Sequence, residues 1–363
     1  MTPPAATRRT FWGALAAFVI GLFMLLGIAE IGVRFLYPHW SDFYSERFVQ
    51  METLDGHRSF WIGKPGFDGH FAQNNGDFRH ALRINTDGYR NTEPAGAADG
   101  RIWMLGDSMT FGWGVERKDT FAGIVGGRVS PDTYNIGGPG NDVCGYQALA
   151  DRMPKNIRPR AVVIGLIVEN DVQVYDCRGR AAAEAAQGGR HTESRLDSWI
   201  SIKFMLTGYS ALYNVTAASV KRVPWLLEGL TRLGIIARQH GLKNVSDKND
   251  TAERIRTTAR EIVDIATYLP PGTPMVVVVV PARFEIRDRH PYFRSLRTGL
   301  LKALDDRNIA TIDLYPAFEE AGFEATHFVH DGHWSPAGHL IAAQAIASWL
   351  TAGGLATNRT SSR

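Results

Sequence analysis

The chain has 363 residues, of which 44% are hydrophobic and 21% are charged. This composition is typical of a globular protein and argues against a disordered one. The net charge of +3 at pH 7 is too small to favour a nucleic-acid partner. The length accommodates one large domain or two ordinary ones.

An apolar segment lies close to the N-terminus. Residues 11–33 contain one charged side chain, Glu30. A helix of this length is about 34 Å long, enough to cross the hydrocarbon core of a bilayer. Arg8 and Arg9 precede the segment, which favours a cytoplasmic N-terminus (residues 1–10) and an exported remainder. A cleaved signal peptide is the alternative, but the segment exceeds a typical signal-peptide core and no small-x-small cleavage site follows it. We therefore predict an uncleaved, single-pass signal anchor.

The stretch after the anchor is rich in aromatic residues and glycine. Glu30 and Arg34 lie one helical turn apart and are expected to pair at the membrane interface, where Tyr37 and Trp40 would be further anchors. We interpret residues 34–98 as a juxtamembrane appendage that packs on the following domain. No catalytic motif is evident in it.

From residue 101 onward, strand and helix patterns alternate. Such alternation predicts an α/β fold, a three-layer sandwich with a central parallel sheet covered on both faces. We assign this domain to residues 99–353, with an insertion at about 172–250 and a tail at 354–363. The predicted strands are the short apolar runs 101–105, 133–136, 161–168, 275–280 and 310–314.

Polar residues and glycines recur where these strands end. Ser108 follows the first strand in Gly-Asp-Ser, Gly140 and Asn170 follow the next two, and Asp331 and His333 precede the last helix. Sites on open α/β sheets gather at the carboxyl ends of strands. A serine nucleophile needs a histidine base oriented by a carboxylate, and the oxyanion needs fixed donors. Each element alone also fits a turn or helix cap, so only the ordered set favours catalysis.

This ordered set resembles the SGNH (GDSL) hydrolase superfamily, whose sheet is flavodoxin-like, over residues 101–350. The resemblance implies that Ser108 is the nucleophile, with His333 as base and Asp331 behind it. It implies an oxyanion hole made of the backbone N–H groups of Ser108 and Gly140 and the side chain of Asn170. It implies no metal and no organic cofactor.

The spacing of the last motif departs from the common family pattern, because one residue rather than two separates Asp331 from His333. Asp-x-His-Trp-Ser is similar to the alginate O-acetyltransferase branch and to related membrane-anchored proteins of bacterial polysaccharide clusters. Three other histidines lie close in sequence, so His327, His330 and His339 stay open as alternatives for the base.

The two cysteines flank predicted site elements. Cys144 lies four residues after Gly140, and Cys177 lies seven after Asn170. In an exported domain a disulfide between them is plausible, since oxidising compartments preserve such bonds. Two unpaired thiols are the alternative.

Three functions fit this pattern. We predict an exported esterase, anchored in a bacterial cytoplasmic membrane, that removes acyl groups, with acetyl expected, from an envelope glycan or lipid. The first alternative is a polysaccharide O-acetyltransferase, in which a sugar hydroxyl replaces water. The second is a non-catalytic glycan-binding or assembly subunit. The expected partners are the acylated substrate, the membrane and polysaccharide-modification proteins, but no nucleic acid.

Overall fold

A computed structural model describes residues 5–73, 76–129, 132–186, 205–221, 223–233 and 250–353. The chain begins with one long helix, α1 (Ala5–Leu36). Within its part Trp12–Leu36, an 18-residue window has a mean hydropathy of 2.4 and none of it is buried, so this part is long and apolar enough to span a membrane. The predicted tail at 354–363 lies outside the described residues.

Two small antiparallel sheets follow α1 in the predicted appendage. β1 (Val49–Leu54) pairs with β2 (Arg58–Gly63), and β3 (Asp68–Ala72) pairs with β4 (Arg79–Arg83). Phe48, Phe71, Leu82 and Ile84 of this region pack with Phe111, so the two sheets share a core with the segment that follows Ser108.

The main sheet is parallel throughout and has five strands in the order β6-β5-β7-β8-β9. This order is the flavodoxin-like 2-1-3-4-5 arrangement. β7 and β8 are buried along their whole length, as their uninterrupted apolar sequences predict. The predicted α/β fold is confirmed. The strands are β5 (Ile102–Gly106), β6 (Thr133–Asn135), β7 (Ala161–Ile167), β8 (Met275–Val280) and β9 (Ala310–Asp313).

Helices cover both faces of this sheet. The described helices are α2 (Ser108–Phe111), α3 (Phe121–Gly126), α4 (Val143–Asp151), α5 (Val168–Asp171), α6 (Cys177–Ala186), α7 (Ala211–Lys221), α8 (Pro224–Arg232), α9 (Thr251–Asp264), α10 (Arg283–Asp288), α11 (Pro291–Asp305), α12 (Tyr315–Ala321), α13 (Phe323–Thr326) and α14 (Pro336–Thr351). Residues 205–209 are helical as well.

The side chains of β5 alternate between two cores. Trp103 and Leu105 pack with α4, α9 and α11, whereas Ile102 and Met104 pack with α3 and α14. This alternation follows from the two-residue period of a strand. The result is the predicted three-layer arrangement, with a separate apolar layer on each side of the sheet.

The strand order creates a crevice at the carboxyl end of the sheet. β5 lies between β6 and β7. The chain leaves β5 toward β6 on one side and leaves β7 toward β8 on the other, so a crevice opens between the ends of β5 and β7. Ligands usually bind at this position in such folds. Ser108 follows β5 and Asn170 follows β7. At the last residue of β5, a Cβ on Gly106 would lie 2.7 Å from the carbonyl oxygen of Gly165, so close contact between the strands requires glycine there.

The predicted insertion is partly described. Cys144 in α4 and Cys177 at the start of α6 form a disulfide, which fastens α6 to the main domain. α7 and α8 follow later. α7 is in contact with α1, and α8 is in contact with α7. The remaining parts of the insertion, 187–204 and 234–249, lie outside the described residues.

A buried ion pair joins α10, α11 and β9. The Arg297 guanidinium donates to both carboxylate oxygens of Glu285, at 2.9 and 3.0 Å, and also to Asp313. The Glu285 side chain is fully buried and that of Arg297 is 7% exposed. Removing one partner of such a pair leaves an uncompensated buried charge.

We expect Arg297→Met to lower the free energy of unfolding by about 3–5 kcal/mol, because it strands the Glu285 carboxylate. Urea unfolding of the full chain in detergent measures the change. The control is Lys302→Met on the same helix, whose exposed ammonium pairs with Asp306. It should cost less than about 1 kcal/mol. Equal effects of the two substitutions would contradict this account of Arg297.

Candidate active site

Ser108 lies at the junction of β5 and α2. The preceding residue, Asp107, is the N-cap of α2, and its carboxylate accepts a hydrogen bond from the backbone N–H of Met109 at 2.9 Å. A capping side chain of this kind fixes the entry of the chain into the helix. The Gly-Asp-Ser sequence therefore places Ser108 at the first helical position, at the carboxyl end of the sheet.

His333 contacts Ser108 directly. Its Nε2 lies 2.9 Å from Ser108 Oγ, and its Nδ1 bonds to Asp331 Oδ1. An ionised carboxylate only accepts hydrogen bonds, so this bond holds the proton on Nδ1 and leaves Nε2 free to accept the serine proton. The Asp331 side chain is 4% exposed. Burial acts to raise the pKa of Asp331, but the charge and hydrogen bonds of His333 outweigh it and hold the pKa below its usual value.

The connection between Asp331 and His333 decides whether the two side chains can meet. The structure has a tight turn here, and the backbone N–H of His333 donates to Asp331 Oδ1 at 3.2 Å. Gly332 has φ +85°, a conformation that side chains disfavour, and a Cβ there would collide with the Arg283 guanidinium. The single intervening residue brings the two side chains together because it is a glycine in a turn.

The three alternative histidines have other partners. His330 is half-exposed, and its Nδ1 lies 2.7 Å from Asp77 Oδ1. His327 and His339 are buried, and burial lowers the pKa of each to about 3. Of the four histidines, His333 is the one that bonds to Ser108.

Two pockets meet at Ser108 and His333. The first, which we call the polar pocket, has a volume of about 420 Å³ and is lined by Asn170, Glu169 and Arg283. The Arg283 guanidinium donates to Glu169 at 2.7 Å, and burial raises the pKa of Glu169 in spite of this ion pair. A charged, hydrogen-bonding wall of this kind suits a polar ligand.

The second pocket, which we call the aromatic pocket, has a volume of about 310 Å³. It is lined by Trp61, Trp113, Pro139 and Gly140. Gly140 has φ +85°, and a Cβ there would lie 3.3 Å from the Trp61 ring. Of the predicted oxyanion residues, Gly140 lines the aromatic pocket and Asn170 lines the polar pocket, and Ser108 lines both.

Two further carboxylates are buried behind Ser108. Burial raises the pKa of Asp107 to about 6, although the Met109 N–H and the charge of His333 act in the opposite direction. Burial, reinforced by the nearby charge of Asp107, raises the pKa of Asp171 well above its usual value. Asp171 accepts hydrogen bonds from the Tyr146 hydroxyl at 2.8 Å and from a backbone N–H at 2.7 Å. Both groups serve the framework of the site, since each bonds to the ends of the elements that carry it.

The appendage, in which no catalytic motif is evident, contributes contacts to the site. Gln73, just after β3, donates its amide N–H to Asp331 Oδ2. Asp77, before β4, accepts from the backbone N–H of His330 at 2.9 Å. Trp61 of β2 lines the aromatic pocket. The sequence offers no motif for these residues, because their contacts depend on how the hairpins pack on a turn more than 250 residues away.

Arg90, also from the appendage, braces the segment after α2. Its guanidinium is fully buried and donates to the carbonyl oxygens of Phe111, at 3.0 Å, and of Gly112. Burial lowers its pKa to about 9. The braced segment carries Trp113, whose ring stacks on His333 with 5.5 Å between ring centroids. The stacked ring restricts the orientation of the imidazole.

Comparison with known protein families finds a match in the C-terminal third of the chain. Residues 242–362 match the family model described as the SGNH hydrolase-like domain of acetyltransferase AlgX. The predicted resemblance to the SGNH superfamily is confirmed over this segment. The match supports an SGNH-type hydrolase or acyltransferase. The segment contains Asp331 and His333, whereas Ser108 lies upstream of it. No curated protein matches the chain significantly.

Several solved structures are similar at low identity. They are a lipolytic protein of the G-D-S-L family from Veillonella parvula (12% identity, TM-score 0.40, covering 69% of this chain and 98% of that one), a lipase/acylhydrolase from Enterococcus faecalis (14%, 0.39, 69% and 95%) and a catalytic mutant of an acetylxylan esterase from Geobacillus stearothermophilus (16%, 0.37, 69% and 93%). Because these TM-scores are low, the fold assignment rests on the strand order itself.

We expect Gln73→Leu to reduce turnover about tenfold or more, because a hydrogen bond to a charged group contributes about 1.5–3 kcal/mol. The lost donor stabilised the ionised form of Asp331, so the pKa of Asp331 rises. Activity should therefore be lost at a higher pH on the acid side of the profile. The measurement is the pH dependence of ester cleavage.

Gln50→Leu is the matched control, since this glutamine of β1 donates to Glu52 and not to the site. It should leave the acid limb of the profile unchanged. A Gln73→Leu profile identical to that of the control would exclude a positioning role for Gln73.

Proposed function

We propose that this chain is a membrane-anchored serine esterase that cleaves acyl esters, with acetyl expected, of an envelope glycan or lipid. The observation that carries the proposal is the 2.9 Å contact between Ser108 Oγ and His333 Nε2, with Asp331 bonded to the opposite ring nitrogen. This is the arrangement that turns a weakly nucleophilic hydroxyl into an effective nucleophile.

In the first half-reaction, Ser108 Oγ attacks the acyl carbon while His333 Nε2 takes the serine proton. The resulting imidazolium is stabilised by the Asp331 carboxylate, whose lowered pKa keeps it ionised. Collapse of the tetrahedral intermediate breaks the ester C–O bond, and the imidazolium gives its proton to the departing alcohol oxygen. An acyl group remains on Ser108.

The negative charge on the carbonyl oxygen of the intermediate needs fixed donors. We assign them to the N–H groups of Ser108 and Gly140 and to the Asn170 side chain. In support, Ser108 lies at the junction of the two pockets that these residues line. The left-handed conformation of Gly140 and its proximity to Trp61 explain the need for a glycine there.

In the second half-reaction, His333 deprotonates the hydroxyl that attacks the acyl carbon. The bond between this carbon and Ser108 Oγ then breaks, and the imidazolium returns the proton to Ser108. If that hydroxyl is water, the product is the free acid and the chain is an esterase. If it belongs to a sugar, the chain is a polysaccharide O-acetyltransferase. The family match to a domain of acetyltransferase AlgX favours this second candidate. The complete Ser-His-Asp arrangement argues against a purely non-catalytic binding subunit.

We place the enzyme in the bacterial cytoplasmic membrane, with residues 11–33 as anchor and the domain at 99–353 on the exported side. The apolar helix at Trp12–Leu36 and the Cys144–Cys177 disulfide support this placement, since disulfides persist in oxidising compartments. The expected partners are the acylated glycan or lipid, the membrane and polysaccharide-modification proteins.

The full chain in detergent should be labelled by a fluorophosphonate probe, and Ser108→Ala should not be. We expect His333→Ala to lower cleavage of p-nitrophenyl acetate by about ten-thousand-fold, because the serine loses its base. His330→Ala is the matched control and should keep most of the activity, since its imidazole bonds to Asp77. Loss of activity in His330→Ala with retention in His333→Ala would refute the assignment of the base.

Hydrolysis and transfer are distinguished by the fate of the acyl group. We expect the enzyme supplied with p-nitrophenyl acetate alone to release acetate and nitrophenol in equal amounts. In the presence of a panel of deacetylated polysaccharides, an esterase keeps this ratio, whereas a transferase yields O-acetylated sugar at the expense of acetate. Mass spectrometry of the polysaccharide and enzymatic assay of acetate measure the two products, with Ser108→Ala as the blank.

A further inference from the structure

Glu30 is the charged residue of the apolar anchor segment, and its carboxylate has an unusual set of partners. It accepts hydrogen bonds from the backbone N–H groups of Ala211 and Leu212, at 2.8 and 2.9 Å, and from the Ser210 hydroxyl at 2.9 Å. Arg34 adds a fourth bond at 2.8 Å. The carboxylate therefore caps the N-terminus of α7, a segment 180 residues away in sequence.

This capping has a clear physical basis. The first N–H groups of a helix have no partner within the helix, and the helix dipole favours a negative charge beside them. A carboxylate near the hydrocarbon boundary is costly unless it is paired. The Glu30 carboxylate therefore gives the first N–H groups of α7 a partner and is itself paired. These bonds attach α7 to the end of the anchor.

α7 contacts the anchor near its C-terminal end and leaves residues 12–28 exposed. In α1, residues 12–28 are exposed, whereas Ala29, Glu30 and Val33 are partly covered. α7 also contacts the turn at Trp40–Phe43, beyond the end of α1. From Trp12, a hydrocarbon core of about 30 Å is crossed in about 20 residues, so the boundary falls close to Glu30. The level of α7 is therefore that of the lipid headgroups.

The segment that α7 belongs to is rich in exposed apolar side chains. Among the described residues after α1, nine large hydrophobic side chains are exposed, and four of them lie in residues 205–233. Tyr209, Trp225 and Leu233 are each 74% exposed, and Met205 is 54% exposed. Tyrosine and tryptophan are the side chains most enriched at the membrane interface, because each has an apolar body and a polar tip.

The position of Tyr209 agrees with this level. Its carbonyl oxygen accepts from the Arg34 guanidinium at 2.6 Å, one helical turn beyond Glu30. The same guanidinium lies over the Trp40 ring, 4.5 Å from the centroid. Tyr209, Arg34 and Trp40 thus form a belt just outside the apolar part of the anchor, with the composition expected of a bilayer interface.

We propose that residues 205–221 and 223–233, which we call the insertion platform, lie in the headgroup region of the membrane that the anchor spans, with their exposed apolar side chains in contact with lipid. The proposal rests on the anchor assigned under the proposed function and is independent of the chemistry at Ser108. It explains an insertion that the catalytic arrangement does not use.

The platform also fixes the site relative to the membrane. The Tyr44 ring packs against Gly208 of the platform, and the next two residues, Ser45 and Glu46, line the aromatic pocket. The aromatic pocket therefore opens beside the platform, close to the bilayer surface. An ester carried by a membrane-bound glycan or lipid is the substrate that such a placement favours.

The test uses single-cysteine variants of the full chain. Both native cysteines are in the disulfide, so each new cysteine provides one free thiol for the fluorophore NBD. The variants are Trp225→Cys in the platform, Phe23→Cys in the anchor and Lys302→Cys on the exposed face of α11. Each is reconstituted into phosphatidylcholine vesicles with or without phosphatidylcholine that carries a doxyl quencher, either near the headgroup or deep in the acyl chain.

We expect the NBD emission at 225 to be blue-shifted and to be lost with the shallow quencher. Emission at 23 should be lost with the deep quencher, and emission at 302 should respond to neither. If 225 behaves like 302 while 23 is quenched, the platform is refuted and the anchor stands. If 23 is also unquenched, the anchor fails and the platform fails with it.

A second variant tests the capping contact. Glu30→Ala in the Trp225→Cys background should reduce quenching at 225, because α7 loses its attachment to the anchor. The same substitution with Phe23→Cys should leave quenching at 23 unchanged. Equal quenching at 225 with and without Glu30 would overturn the role given to this carboxylate.

Discussion

The bond between Ser108 and His333 is the interaction on which the rest of the site depends, and it joins residues 225 positions apart. One end is fixed by β5 and by the Asp107 cap of α2. The other is fixed by a turn that the backbone closes through Asp331. Neither end could be held by local structure alone, because hydrogen-bond geometry demands that both be placed within a few tenths of an ångström. The parallel sheet supplies this rigidity.

Much of the fold followed from the sequence, because its decisive signals are local. Uninterrupted apolar runs such as β7 and β8 identify buried parallel strands, and polar residues after a strand identify the sheet edge that binds ligands. The fold class was correct for this reason. The position of polar residues after strands, together with the family resemblance, predicts Ser108 and His333 as site residues. What the sequence could not supply was the path of the chain between Asp331 and His333, which depends on the left-handed conformation of Gly332.

The residues that were missed belong to the appendage, and their omission has a physical cause. Gln73 and Trp61 lie in or beside short strands that bury side chains against another part of the chain, so their role is set by tertiary packing and leaves no periodic signal. Arg90 is missed for a similar reason. From the sequence alone an arginine is expected at the surface, and its burial is explained only by its carbonyl partners in the fold. The appendage supplies one wall of the aromatic pocket and one hydrogen bond to Asp331. It therefore belongs to the site as much as the sheet does.

The same appendage connects the site to the anchor. Tyr44 lies between the platform and the aromatic pocket, and Arg34 and Glu30 tie the end of α1 to α7. On the membrane placement that we propose, a flexible tether would let the domain rotate freely above the bilayer, whereas these contacts would give it one orientation. A site oriented in this way would meet the proposed membrane-bound esters by diffusion in two dimensions, at an effective concentration set by geometry rather than by bulk solution. This orientation requires a charged residue, Glu30, in an otherwise apolar segment. The four hydrogen bonds that its carboxylate accepts offset the free-energy cost of placing the charge there.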